Sequence, residues 1–288
     1  MDAEHLAKAL GAVRSGRQWK CKCVAHEDRN PSMIIFDGRE SVQVRCMVGC
    51  EPRDIIAVLQ SRGLWQGKPA DHVRERPKIV SRETDRREHM MRVLARGIFD
   101  DAEPLAGTLA QTYFDSRDLW SVAREIEDIR FHPACPRERG EQPAVVIAMR
   151  SVATYAVTAV QRLFLTPGGR KDGKGMMLGT VSGAAMRLLP KMGRTLHIAE
   201  GLESALAVIA QDHGPVWALG STSLIQVFPV LDDIDELVIW ADADAPGRKA
   251  ARICGKRWLE AQRRVRVIEP VNEGDDAADE WSARCGRL

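Results

Sequence analysis

The chain has 288 residues, a length that suggests about two domains. Its hydrophobic content of 44% is enough for a sizeable core, and its net charge of +2 excludes a simple polycation. We find no signal peptide and no apolar stretch long enough for a membrane span, so we expect a cytoplasmic protein with no membrane partner.

The charge is unevenly distributed along the chain. Residues 1–100 hold 19 Lys and Arg against 14 Asp and Glu, whereas residues 231–288 hold 10 against 13. A basic N-terminal part and an acidic C-terminal part suit a protein that binds a polyanion and holds metal ions. Ordinary solvated surfaces explain the same imbalance equally well.

Composition and hydrophobic periodicity divide the chain into four parts. We expect an N-terminal unit, a charged linker, a mixed α/β middle lobe and a C-terminal α/β domain, at residues 1–64, 65–88, 89–192 and 193–288. In the C-terminal part, apolar runs predict strands that alternate with helices, at residues 195–199, 216–219, 237–240 and 265–268. This alternation implies a parallel, Rossmann-like sheet, within a fold that is α/β in class and α+β overall.

Fewer elements are predicted before that sheet. In the N-terminal unit we expect two helices and a two-stranded hairpin, at residues 1–10, 52–62, 33–36 and 42–46. In the middle lobe we expect two helices, two strands and a Gly/Lys-rich loop, at about residues 90–101, 104–116, 144–149, 155–165 and 167–175.

Cysteine and histidine cluster near the N-terminus. Cys23 and His26 form a C-x₂-H pair, Cys46 and Cys50 form a C-x₃-C pair, and 19 residues lie between the pairs. Two such pairs on turns that flank a β-ribbon predict a closed tetrahedral site for a structural Zn²⁺. Cys21 is a possible further ligand, but its position in the sequence does not fit the C-x₂-H spacing of the first pair. Reduced thiols with a surface histidine are the less favoured alternative.

Carboxylates follow the predicted strands of the C-terminal sheet. Asp242 and Asp244 come after residues 237–240, and Glu200 comes after residues 195–199. Because the carboxyl ends of parallel strands share one edge, we expect these three catalytic candidates to converge. Asp276 and Asp279 follow the last strand and extend the cluster. Such a cluster is tolerated mainly when a divalent cation, Mg²⁺ or Mn²⁺, neutralises it, with Glu200 as a further ligand or as a general base.

Basic residues supply candidates for phosphate binding. Arg162 and Lys174 are the strongest, because Lys174 lies in a glycine-rich loop whose backbone can approach a phosphate closely. Arg248 and Lys249 begin a helix near the Asp pair, and Arg117 belongs to the earlier helical part. Any one of them is more often an ordinary surface charge. No Walker A motif occurs in the sequence, which argues against an ATPase motor.

These motifs together resemble the bacterial-type DNA primases of phages and plasmids, in which a zinc-binding domain precedes a Toprim domain. The resemblance rests on the Cys/His pairs, Glu200-Gly201 and the segments at residues 28–32, 112–117, 218–221, 242–251 and 276–279. It covers nearly the whole chain, although the C-x₃-C spacing departs from the C-x₂-C that is usual in cellular primases. Arg162 and Lys174 fall where that family places basic residues near template and nucleotide.

The resemblance implies a primase that uses ribonucleoside triphosphates to synthesise short RNA primers on single-stranded DNA. It implies Mg²⁺-dependent nucleotidyl transfer, replication of a mobile element, and a replicative helicase that acts in trans. Two alternatives remain open: a Toprim-type nuclease and a non-catalytic DNA-binding replication factor. A topoisomerase is less favoured, since neither Tyr113 nor Tyr155 lies in a suitable context.

Overall fold

The structure is a computed structural model that describes residues 2–16, 18–28, 31–38, 42–47, 50, 52–65 and 82–286. It divides into two compact units, residues 1–79 and 80–288. The described elements confirm the expected mixed α/β class. Most of the predicted linker, residues 66–81, lies outside the described residues, as do Arg29 and Asn30 of the segment at residues 28–32.

The first unit is a small antiparallel sheet with two helices. Its elements are α1 (Ala3–Ala9), β1 (Val13–Ser15), β2 (Gln18–Cys21), β3 (Met33–Asp37), β4 (Val42–Cys46) and α2 (Pro52–Ser61). The strands pair in the order β1-β2-β3-β4. Leu6 of α1 and Leu59 of α2 are fully buried in one core with Met33 and Ile35. The predicted helices and hairpin are confirmed, whereas β1 and β2 were not predicted, because β1 is exposed throughout and lacks an apolar alternation.

The second unit begins with a helical segment and an antiparallel meander. Its first elements are α3 (Arg82–Asp100), α4 (Leu109–Asp115), α5 (Trp120–Ala123), β5 (Ile129–Arg137), β6 (Gly140–Ser151), β7 (Val157–Phe164), β8 (Met176–Gly179) and β9 (Ala184–Arg187). Helix α3 begins at Arg82, so residues 82–88, which we expected to belong to the linker, are helical. Residues 85–90 of this charged segment are exposed, which explains why their composition resembled that of a linker.

The second unit continues with the predicted alternation of strands and helices. These elements are β10 (Thr195–Ala199), α6 (Leu202–Ala210), β11 (Val216–Ala218), α7 (Thr222–Val227), β12 (Glu236–Trp240), α8 (Ala245–Glu260), β13 (Arg264–Ile268) and α9 (Ala277–Arg284). Strands β13, β12, β10 and β11 are parallel neighbours, and β9 joins them to the antiparallel β6, β7 and β8, with β5 beside β6. A single nine-stranded sheet therefore runs through the unit.

Hydrophobic clusters cover both faces of the parallel part of this sheet. Helices α4, α6 and α9 contribute to the cluster on one face, and α7 and α8 contribute to the cluster on the other. The carboxyl ends of β10 and β12 lie at one edge, and the chain turns there into α6 and α8. Among the described helices, none is both long and apolar enough to cross a membrane.

Candidate functional site

A cleft of about 320 Å³ opens at the carboxyl edge of the parallel strands. Its described lining combines carboxylates, basic side chains and a few small residues: Glu200, Glu203, Asp242, Asp276, Asp279, Arg117, Lys171, Gly201, Ser204 and Ala278. The structure thus brings together four of the five predicted metal-binding carboxylates, which come from three separate connections of the sheet. Two basic residues, Arg117 and Lys171, line the same cleft.

Backbone packing fixes the two carboxylates that follow β10 and β12. The amide of Gly220 donates to the carbonyl of Glu200 at 2.7 Å, and the backbone of Thr222 donates to the Glu200 carboxylate. After β12, helix α8 approaches the chain so closely that a Cβ on Gly247 would lie 2.5 Å from the carbonyl oxygen of Asp242. Glycine at this position therefore lets the helix begin directly against Asp242.

The remaining predicted carboxylates lie at the N-terminal ends of helices. Asp244 caps α8 and accepts a hydrogen bond from the amide of Gly247 at 2.6 Å, so α8 begins at Ala245 instead of the predicted Arg248. Asp276 and Asp279 form a capping box at the start of α9. Asp244 does not line the cleft, but its charge acts on Glu200 and Asp242. Capping thus fixes the orientation of the side chains that surround the cleft.

Burial and mutual repulsion disfavour the ionised forms of these carboxylates. Burial, together with the charges of Glu200, Asp276 and other neighbours, raises the pKa of Asp242 to about 7. Burial and the charge of Asp244 raise the pKa of Glu200, and burial with the charge of Asp279 raises that of Asp276. Clustered oxygen ligands of this kind suit a hard divalent cation, which relieves their repulsion.

Glu203 differs from its neighbours in the cleft. Burial opposes its ionisation, but the Lys171 ammonium and the Tyr113 hydroxyl outweigh that effect and lower its pKa. Glu203 and Lys171 are not among the site residues predicted from the sequence, and Tyr113 was considered there only for a topoisomerase. Lys171 and Tyr113 are 32 and 90 positions from Glu203 in the sequence, so their contacts could not be found from local spacing.

The basic residues that we predicted to bind substrate lie in different places. Arg117 lines the cleft. Arg162 is only 8% exposed, donates to the carbonyl of Pro136 at 2.7 Å and does not line the cleft. Arg248 forms exposed ion pairs with acidic residues that follow β13, Lys174 lies exposed on its loop, and Lys249 is partly buried on α8. Contacts of these residues with template or nucleotide stay predictions.

A second candidate site lies in the first unit. The ligand atoms of Cys23, His26, Cys46 and Cys50 all lie within 4.8 Å of one another, as the paired spacing predicted. Nδ1 of His26 is 3.1 Å from the Cys50 sulfur and 3.8 Å from the Cys46 sulfur. The pKa of the Cys50 thiol is raised to about 12, mainly by burial and next by the neighbouring Cys46. Three sulfurs and one imidazole nitrogen form a donor set that is compatible with zinc.

Asp28 organises the residues around this cluster. Its carboxylate lies 3.6 Å from Nε2 of His26 and accepts hydrogen bonds from the Cys23 amide at 2.8 Å and the Ser32 hydroxyl at 2.6 Å. A carboxylate against the second ring nitrogen is the arrangement that commonly orients a metal-binding histidine.

Comparisons with known families identify the C-terminal part. Residues 195–286 match the Toprim domain family, so the predicted Toprim domain is confirmed. Residues 86–188 match a family described as a domain of unknown function, DUF7146. A search of the curated proteins found no sequence match.

Solved primase structures share the fold. The DnaG primase catalytic domain bound to single-stranded DNA is 14% identical, with a TM-score of 0.50, and the match covers 70% of this chain and 81% of that chain. The DnaG catalytic core is 15% identical, also with a TM-score of 0.50, and the match covers 68% and 79%. The zinc-binding and RNA polymerase domains of the Aquifex aeolicus primase match 98% of this chain and 80% of that chain, at 14% identity and a TM-score of 0.47. The family match thus shows a Toprim domain, and the two DnaG structures show that the chain has a DnaG-like fold.

Proposed function

We propose that this chain, with its Toprim domain and DnaG-like fold, is a DNA primase that synthesises short RNA primers on single-stranded DNA. The observation that carries the proposal is the cleft, in which the predicted carboxylates from three strand ends, three of them half-buried, face two basic side chains. Phosphoryl transfer needs this combination, because metal ligands and phosphate-binding cations must act on the same oxygens.

The carboxylates fit Mg²⁺ or Mn²⁺. Asp242, Asp276 and Asp279 are proposed as ligands, with Asp244 beside them and Glu200 as a further ligand or as the base for the attacking hydroxyl. A bound divalent ion would supply electrostatic stabilisation to the phosphoryl oxygens as pyrophosphate leaves. The raised pKa values of Glu200, Asp242 and Asp276 support this assignment, since a metal ion removes the repulsion that causes part of those shifts.

The basic side of the cleft is proposed to bind the triphosphate of the incoming nucleotide. Arg117 and Lys171 line the same cavity as the carboxylates, so phosphate oxygens placed between them would contact both charges. Lys174, Arg162, Arg248 and Lys249 are proposed only as contacts to template or nucleotide outside the cleft.

The Cys/His cluster is proposed as a structural zinc site. Its four ligand atoms equal in number the ligands of a tetrahedral zinc ion, which would leave no position for a substrate. By analogy with the primases that the sequence resembles, the first unit is proposed to bind template DNA. The proposed setting is a phage, plasmid or integrative element, with a helicase supplied in trans, and this part rests on the resemblance alone.

Primer synthesis tests the proposal against its alternatives. The protein is incubated with single-stranded DNA, Mg²⁺ and labelled ribonucleotides, and the products are resolved on a gel. We expect short RNA that disappears in Glu200→Gln and Asp242→Asn but persists in Glu125→Gln, an exposed control on the surface. Cleavage of the template without ribonucleotides would instead identify a nuclease, and binding without any product would identify a non-catalytic factor.

A further inference from the structure

One carboxylate connects both basic residues of the cleft. Glu203 is 12% exposed, and its Oε1 accepts two short hydrogen bonds, from Nζ of Lys171 at 2.5 Å and from the hydroxyl of Tyr113 at 2.6 Å. Lys171 lies on the loop after β7, Tyr113 on α4 and Glu203 on α6. Three separate elements therefore meet at a single oxygen atom.

The connection extends to Arg117 through the tyrosine ring. The guanidinium carbon of Arg117 lies 5.2 Å from the centre of the Tyr113 ring, one turn further along the chain. Tyr113 is only 1% exposed, so its ring is a fixed surface for this cation–π contact. Glu203 thus fixes Lys171 directly and Arg117 through Tyr113.

Two simpler roles do not explain this arrangement. An acidic residue in the first turn of a helix is favourable, but that effect requires no partners 32 and 90 residues away. A role as a metal ligand suits Glu203 less than Glu200 or Asp242. Its Oε1 is occupied by two donors and its charge is balanced by Lys171, whereas Glu200 and Asp242 repel each other.

Fixed cations have an advantage in phosphate binding. Lysine and arginine side chains each have many rotamers, and part of this freedom is lost when they bind a ligand. An ammonium group has three donors, so Lys171 retains two for a ligand while it remains bonded to Glu203. Cations that are already ordered bind phosphate at a lower entropic cost.

We propose that Glu203 and Tyr113 are positioning residues that hold Lys171 and Arg117 in place to bind a triphosphate beside the carboxylates. This inference rests on the proposed function, because it assigns the triphosphate to the same cleft. It predicts a loss of ligand affinity when the hydrogen bonds are removed, with little effect on the chemical step.

The first test measures binding without catalysis. Tripolyphosphate is titrated calorimetrically, in the presence of Mg²⁺, into the full chain and its variants. Loss of a charged hydrogen bond predicts about tenfold weaker binding for Glu203→Gln and Tyr113→Phe. Glu203→Asp keeps the charge and is expected to recover part of the affinity. Tyr155→Phe, at the half-exposed second tyrosine, and Glu125→Gln are matched controls that should bind as the wild type does.

The second test separates positioning from general damage to the fold. We expect Tyr113→Phe to raise the KM for ribonucleotide about tenfold and to change kcat less than threefold. A purely structural role would lower the melting temperature and leave the KM unchanged. Tyr113→Phe keeps the buried ring, so this variant remains informative if Glu203→Gln does not fold.

The outcomes also distinguish this inference from the proposed function. Wild-type protein that binds tripolyphosphate tightly but makes no RNA would refute the primase proposal and leave the positioning role standing, provided that the variants bind weakly. Wild-type protein that makes RNA, with variants of unchanged affinity and KM, would refute the positioning role alone. Wild-type protein that does not bind tripolyphosphate would also overturn the inference.

Discussion

Asp242 shows at the scale of one residue how the cleft acts on its own carboxylates. Its pKa is raised from 3.8 to about 7 by burial and by the charges of Glu200 and Asp276. Between pH 4 and pH 7 the folded protein therefore binds more protons than the unfolded chain does. The free energy of unfolding must fall as the pH rises through that window.

This fall in unfolding free energy with rising pH gives a prediction for the metal-free protein. Relative to Asp242→Asn, the wild type should lose about 1–2 kcal/mol of stability between pH 4.5 and pH 7.5, allowing for partial exposure of the side chain. Chemical denaturation of both proteins across that range measures the difference. Mg²⁺ should stabilise the wild type more at pH 7.5 than at pH 5. Parallel pH profiles for the two proteins would show that Asp242 titrates normally.

Asp28 gives a second prediction at the residue scale. Its carboxylate lies against His26 and accepts from Cys23, so it fixes two of the proposed zinc ligands. Asp28→Asn is expected to weaken zinc binding about 10- to 100-fold, as measured by competition with a chromogenic chelator. Asp54→Asn, on the exposed face of α2, is the control. Equal zinc affinity in both variants would remove Asp28 from the site.

Helix α8 shows how an element positions a catalytic candidate. A Cβ on Gly247 would meet the carbonyl oxygen of Asp242 at 2.5 Å, so Gly247→Ala forces the helix start away from the cleft. We expect a loss of about 1–3 kcal/mol in unfolding free energy from this overpacking, and a loss of Mg²⁺-dependent activity.

A helical glycine elsewhere supplies the control for this substitution. Gly97 lies within α3, and a Cβ there would meet nothing within 4 Å. Gly97→Ala should therefore stabilise the protein by about 0.5–1 kcal/mol through helix propensity. Denaturant unfolding of both variants tests the pair, and similar effects of the two substitutions would show that the close approach at Gly247 is unimportant.

Strands β10 and β12 were predictable from the sequence, whereas β5, β8 and β9 were not. The apolar runs of β10 and β12 and the acids that follow them identified the sheet edge, because strands buried on both faces are continuously apolar. Strand β8 is half-buried along its length and has no clear period, so no strand was predicted there. The link from Glu203 to Tyr113 depends on tertiary packing and left no local signal.

At the scale of the whole molecule, each unit has its own hydrophobic core. The core of residues 1–79 includes two of the four proposed zinc ligands and a third packs against it, whereas the carboxylate cleft belongs to residues 80–288. A core this small depends strongly on a metal that binds only the folded form. Zinc and magnesium are therefore expected to stabilise different parts of the chain.

Calorimetry tests that expectation. Removal of zinc by a chelator, or the substitution Cys46→Ser, should abolish or lower one melting transition and leave a second transition in place. The second transition should respond to Mg²⁺ and to pH. A single transition that shifts as a whole on zinc removal would show that the two units unfold together.

Dinucleotide synthesis on a defined single-stranded template is the decisive measurement for the proposed primase. Rates are compared for the wild type and Glu200→Gln, with template binding measured in parallel by fluorescence anisotropy. We predict Mg²⁺-dependent synthesis in the wild type and a loss of about 10²–10³-fold in Glu200→Gln, with unchanged template affinity. Absence of synthesis by the wild type, or equal rates in the two proteins, would show that the carboxylate cleft does not catalyse primer formation.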